Sequence, residues 1–129
     1  METPDYFVDR RQYPRVLIDL PLEYRVTDVS NAHGGLVVNV SEAGILIHSI
    51  KDLPVGTKLN IAVLFPKEFE LTNFKVFAEI VRKDLHWKED WEGYEYGLKF
   101  IQILEEDHSK LKQVLSGRST LEELSHILT

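Results

Sequence analysis

The chain has 129 residues, 43% of them hydrophobic, a net charge of −6 and no cysteine. This fits one globular domain with a proper core. It excludes disulfides, thiolate metal sites and cysteine nucleophiles, and agrees with a reducing cytoplasm. The acidic balance argues against general nucleic-acid or anionic-membrane binding.

Residues 1–15 read as a polar arm with a short sticky patch at Tyr6, Phe7 and Val8. Met1-Glu2-Thr3-Pro4-Asp5 lacks the basic and apolar regions of a signal peptide, so a cytoplasmic location is expected. No apolar run reaches the length of a membrane span. The arm holds the densest arginine cluster of the chain, Arg10, Arg11 and Arg15. Pro14 favours extended geometry at Tyr13. In an extended chain the Cα atoms of Arg11 and Arg15 lie roughly 13 Å apart, a separation at which two long side chains can close around a ligand. Guanidinium suits a phosphate and the O6/N7 edge of guanine, both bidentately. A solvated basic patch is the plainer reading.

The first strand is expected over 16–26, with Pro21 marking an edge or a bulge. Residues 27–35 read as a loop. Two strands, about 36–41 and 45–50, flank the corner Ser41-Glu42-Ala43-Gly44. Alternation puts Leu36, Val38 and Val40 on one face, with Val37, Asn39 and Ser41 on the other. The corner thus offers an amide, a hydroxyl and, at Gly44, a bare backbone permissive of positive φ. Such a corner can read a planar heterocycle, although Asn, Ser and Gly are also ordinary turn residues.

Strands follow over 58–65 and 69–83, the second alternating Phe74, Val76, Ala78 and Ile80 against Lys75, Phe77, Glu79 and Val81. Residues 84–93 read as a charged hairpin loop. Its Glu89, Asp90, Glu92 and nearby Glu95 read as solvated, and Trp87 and Trp91 form either a packing cluster or an interface anchor. The last strand spans 94–103. About six short strands with regular turns suggest an antiparallel barrel. An amphipathic helix over 105–115 follows, with Leu111, Val114 and Leu115 as its stripe, an acidic first turn and Gly117 as its stop. A capping box at Ser119–Glu123 introduces a second stripe, Leu121, Leu124, Ile127 and Leu128, which packs on the barrel or on a partner. The histidines, His33, His48, His86, His108 and His126, show no metal-ligand spacing and read as scattered surface residues. No phosphate loop and no nucleophile–base pair is visible.

Arg11-Gln12-Tyr13-Pro14-Arg15 and Asn39-Val40-Ser41-Glu42-Ala43-Gly44, in that order, resemble the Arg-x-x-x-Arg and Asp/Asn-x-Ser-x-x-Gly motifs of the PilZ family, bacterial receptors for cyclic di-GMP. Gly97-Leu98-Lys99-Phe100 resembles the family's glycine-led late strand. The resemblance covers roughly residues 7 to 116. Asn39 stands where many members carry Asp, so the acceptor lacks charge assistance.

The resemblance implies a closed, mainly β PilZ-type antiparallel barrel of six or so strands (16–104) with an N-terminal arm (1–15) and one or two C-terminal helices (105–129). It implies a receptor or adaptor, not an enzyme, with cyclic di-GMP as ligand and no cofactor or metal. Arg11 and Arg15 would contact phosphates and guanine edges. Asn39 and Ser41 would bond a base that Gly44 lets come close, and Arg10 would accompany a stacked ligand pair. The expected partner is a protein target signalled by movement of the arm, with the receptor a monomer or homodimer. The alternative is a barrel of the same fold that binds proteins without nucleotide.

Overall fold

The computed structural model describes residues 16–27, 29, 31–88 and 91–116. Among these residues six strands and one helix follow in order: β1 (Val16–Val26), β2 (Ala32–Val40), β3 (Gly44–Ser49), β4 (Lys58–Lys67), β5 (Glu70–Lys88), β6 (Trp91–Gln102) and α1 (Glu105–Leu115). The strands close into an antiparallel barrel in the order β1-β2-β3-β6-β5-β4, with β4 returning to β1. The arm with Arg10, Arg11 and Arg15, and the stretch from Gly117 that includes the expected second helix, lie outside the described residues.

Alternation builds the interior. Leu59, Ile61, Val63 and Phe65 of β4 face Phe74, Val76, Ala78 and Ile80 of β5, and all eight are buried. Two tyrosines take their hydroxyls inward and find partners there, as buried polar groups must. Tyr24 Oη lies 2.7 Å from Ser49 Oγ. Tyr96 donates to the Lys51 carbonyl at 2.5 Å and accepts from Leu53 N–H at 2.8 Å, which pins the β3–β4 connection. Burial raises the pKa of both phenols, and for Tyr24 the Ser49 bond opposes part of that rise. Helix α1 seats Leu111 and Val114 in the core. Asp107, expected only to complement the helix dipole, also accepts from Lys75 N–H of β5 at 2.9 Å.

Three expectations need correction. Residues 32–35 are strand rather than loop, pairing with Leu22 to Arg25 of β1. Gly34 and Gly35 hide this from a hydrophobic pattern, yet Gly35 is required: a Cβ there would sit 2.8 Å from the His48 carbonyl oxygen. Residues 84–88 and 91–93 are also strand, a ladder running past the barrel to the pair Lys88–Trp91. A charged and aromatic sequence without apolar alternation suffices there because this extension does not have to fill a core. Finally, Val38 is a β-bulge: the ladder advances two residues on β2 and one on β3 between Val37 and Asn39. The bulge shifts the phase, so Val37 and Val40 both enter the core while Leu36 is 53% exposed.

The β4–β5 turn carries Glu68 at φ 50° and Phe69 at φ 70°, both left-handed without being glycine. Pro21 pairs with Leu36 one residue before β1 meets β4, where its missing N–H costs no ladder bond to β4.

Candidate functional site

The corner between β2 and β3 is built by Ser41. Its hydroxyl oxygen accepts from Ala43 N–H at 3.1 Å and Gly44 N–H at 3.2 Å, and its own N–H donates to the Gly44 carbonyl at 2.9 Å. Ser41 is 4% exposed, so its hydroxyl serves the turn first. The Ala43 carbonyl accepts from Phe100 N–H at 2.9 Å, which ties the corner to β6. Glu42 reaches His108 of α1 at 3.5 Å.

Gly44 is needed by the fold itself, through its bare backbone and not through a positive φ. Its φ is not positive; Gly56 alone among the described glycines has that conformation. A Cβ on Gly44 would lie 2.4 Å from the Leu98 carbonyl oxygen. The close neighbour of its bare backbone is therefore strand β6.

Asn39 is the exceptional group. It pairs with Leu46, one step from Val40 and Ile45 in the core, so its side chain belongs to the outer face of the barrel. The Val38 bulge thereby separates Asn39 from Val37, with which simple alternation had grouped it. Asn39 is nonetheless only 8% exposed, and its Oδ1 is buried with no hydrogen-bond partner among the described residues. An unsatisfied buried acceptor costs about 1–3 kcal/mol, so one that persists asks for an explanation in function.

Two further features converge on this group. The first strand begins beside it: Val16 pairs with Val40 and Leu17 with Asn39. The polypeptide thus enters the barrel at the corner. The second is a row across the outer face: Asn39 on β2, Leu46 on β3, Gly97 on β6 and Arg82 on β5 are successive partners. Gly97 leaves a trough in that row. A Cβ there would meet Arg82 Cβ at 3.4 Å and Leu46 Cδ1 at 4.0 Å. Arg82, 55% exposed, adds a cation that sequence reasoning missed; its signal was the glycine opposite it, visible only once the register is known.

Fold and corner define a small closed antiparallel barrel with a polar corner between β2 and β3. The family model for the PilZ domain matches residues 9–117, and the chain belongs to the PilZ family. No curated protein sequence matches. Among solved structures, the chain is similar to the inhibitor of motility MotI/DgrA of Bacillus subtilis, at 22% identity and a TM-score of 0.67, over 87% of this chain and 52% of that one. It is similar to the PilZ domain of YcgR from Escherichia coli, solved with c-di-GMP, at 14% identity and a TM-score of 0.64, over 92% and 98% of the two chains. It is also similar to MrkH of K. pneumonia in its c-di-GMP complex, at 11% identity and 0.67, over 89% and 54%. The chain spans about half the length of MotI/DgrA and MrkH. At these identities the likeness is one of fold.

Proposed function

We propose that this PilZ protein is a receptor for cyclic di-GMP, a binding module rather than an enzyme, with the ligand held at the Asn39–Gly44 corner. The observation that carries the reading is the orphaned Asn39 Oδ1. Guanine offers ring and exocyclic N–H donors to such an acceptor. The family membership and the c-di-GMP complexes of YcgR and MrkH support the choice of ligand.

Arg11 and Arg15 clasp the ligand from the other side. Arg15 is bonded to Val16, and consecutive Cα atoms are about 3.8 Å apart. The pairing of Val16 with Val40 beside the corner supports assigning its chain neighbour Arg15 to the site. Arg10 serves a second, stacked ligand molecule, and Arg82 faces the same outer row from the far side of the Gly97 trough. Ordering the arm of residues 6–15 against the ligand changes the surface shown to a protein target, and that change is the signal.

Titration calorimetry tests the reading. Cyclic di-GMP should bind far better than cyclic di-AMP, because adenine sets an amino donor where the arginine fork needs the O6 acceptor. Arg11→Ala and Arg15→Ala should each lose about 1–3 kcal/mol, while Arg118→Ala changes nothing. No heat with cyclic di-GMP, or equal affinity for cyclic di-AMP, overturns the proposal.

A further inference from the structure

The structure corrects the reading of the histidines as scattered. His48 lies opposite Glu95 across β3 and β6, and Asp84 lies opposite Glu95 across β5 and β6. His86, two residues beyond Asp84, shares its face and sits opposite Gly93, which has no side chain to occupy the space. Residues 48, 86 and 95 therefore meet on the outer wall. His48 Nε2 is 2.9 Å from Glu95 Oε2, and the two imidazole rings lie 4.1 Å apart at 30°. One ligand atom from each of the three residues falls within 4.8 Å of the others.

We infer that His48, His86 and Glu95 form a binding site for a divalent transition-metal ion, zinc foremost. Two imidazoles and a carboxylate are a ligand set that borderline-soft zinc takes. Ligand atoms on a tetrahedral zinc at 2.0–2.2 Å stand about 3.3 Å apart. The observed spacing brackets that value, so rotation of the half-buried rings reaches coordination while the strands stay fixed. The ligands come from three neighbouring strands, which hold them on a rigid sheet. The carboxylate is also held from behind: Glu95 Oε1 faces Arg82 Nη2 at 3.8 Å, while Oε2 meets His48. The nearby arginine does not repel a cation, because Asp84 binds its Nε at 3.2 Å. With neutral imidazoles, Glu95, Asp84 and Arg82 together leave one net negative charge. His48 and Glu95 are 17% and 24% exposed, which gives an ion a path in and a fourth position for water.

The test is calorimetric titration of the full chain with zinc chloride, with magnesium chloride as the comparison. Zinc should bind once and raise the thermal midpoint, and magnesium should do neither. His48→Gln, His86→Gln and Glu95→Gln should each weaken zinc binding roughly tenfold or more, with metal-free unfolding showing that the variants fold. His33→Gln, His108→Gln and His126→Gln should bind as the unmodified protein does. In that unmodified protein, the imidazole NMR signals of His48 and His86 should shift on zinc addition. Affinity should fall as acid protonates them. Zinc binding no tighter than magnesium, unchanged imidazole signals, or loss of binding in the His33, His108 or His126 variants would overturn the assignment and leave an ordinary His–Glu ion pair.

Discussion

Gly44→Ala is the sharpest probe of the corner. The added Cβ would stand 2.4 Å from the Leu98 carbonyl oxygen, whereas carbon and oxygen settle at about 3.3–3.6 Å even in a favourable C–H···O contact. Strand β3 must therefore withdraw from β6 by about 1 Å at the pair Gly44–Lys99. Overpacking of this kind costs about 1–3 kcal/mol. A backbone bond stretched beyond range adds about 1 kcal/mol. The sum, about 2–4 kcal/mol, corresponds to a fall in Tm of the order of 10 °C in a domain of this size. Denaturant and thermal unfolding of the ligand-free protein would measure it. Gly34→Ala is the control, since a Cβ there meets nothing within 4 Å. If Gly44→Ala stayed within about 0.5 kcal/mol of the parent, typical of an inconsequential surface change, the steric reasoning would be wrong. A variant of full stability that lost only ligand binding would mean the glycine exists for the ligand instead.

Other outcomes are expected. Asn39→Ala should leave ligand-free stability unchanged or raised, because it deletes an orphaned buried acceptor, while calorimetry shows cyclic di-GMP affinity down about tenfold or more. Asp107→Ala strands the Lys75 N–H and should destabilise by about 1–3 kcal/mol in urea unfolding. Replacing Glu68 and Phe69 with Asn and Gly relieves two left-handed residues and should stabilise by about 1 kcal/mol or more; an unchanged midpoint would refute strain at this turn. The exposed Lys83–Asp52 hydrogen bond lowers the Asp52 pKa and raises that of Lys83. A depressed carboxyl stabilises above its unfolded pKa and loses that contribution as pH falls through the folded value. A raised ammonium stabilises below its unfolded pKa and loses its contribution as pH rises through the folded value. Asp52→Asn should therefore slightly flatten the acid limb of stability against pH.

The strands with clean alternation were legible without coordinates. Leu59, Ile61, Val63 and Phe65, and Phe74, Val76, Ala78 and Ile80, pack inward as their alternation says, and α1 has the bounds that its leucine spacing and acidic first turn mark. Ser41 was legible as a corner residue because its turn chemistry is local. What escaped depended on register. A bulge at Val38 cannot be read from one strand, since it exists only as a mismatch with its neighbour. The same holds for His48, His86 and Glu95, which are far apart in sequence and meet only through two ladders. Gly34 and Gly35 gave a loop signal through composition, while the fold uses Gly35 for backbone clearance.

The length of β5 has a consequence for association. β4 accompanies it from Glu70 to Glu79. Beyond that, residues 81–85 have β6 on one side and no second strand on the other among the described residues. A closed ring offers no row of backbone groups to another chain, so this overhang is where intermolecular strand addition, and hence aggregation, would start. It includes exposed Val81 and Leu85, at 49% and 57%, which invite such pairing. Arg82, Lys83 and Asp84 stand between them, and the bulge between Ile80 and Arg82 twists the edge at its root. Charge and irregular geometry are the usual guards of an open edge. Neutralising Arg82 and Lys83 together would remove the charges that guard this overhang and leave it open to self-association.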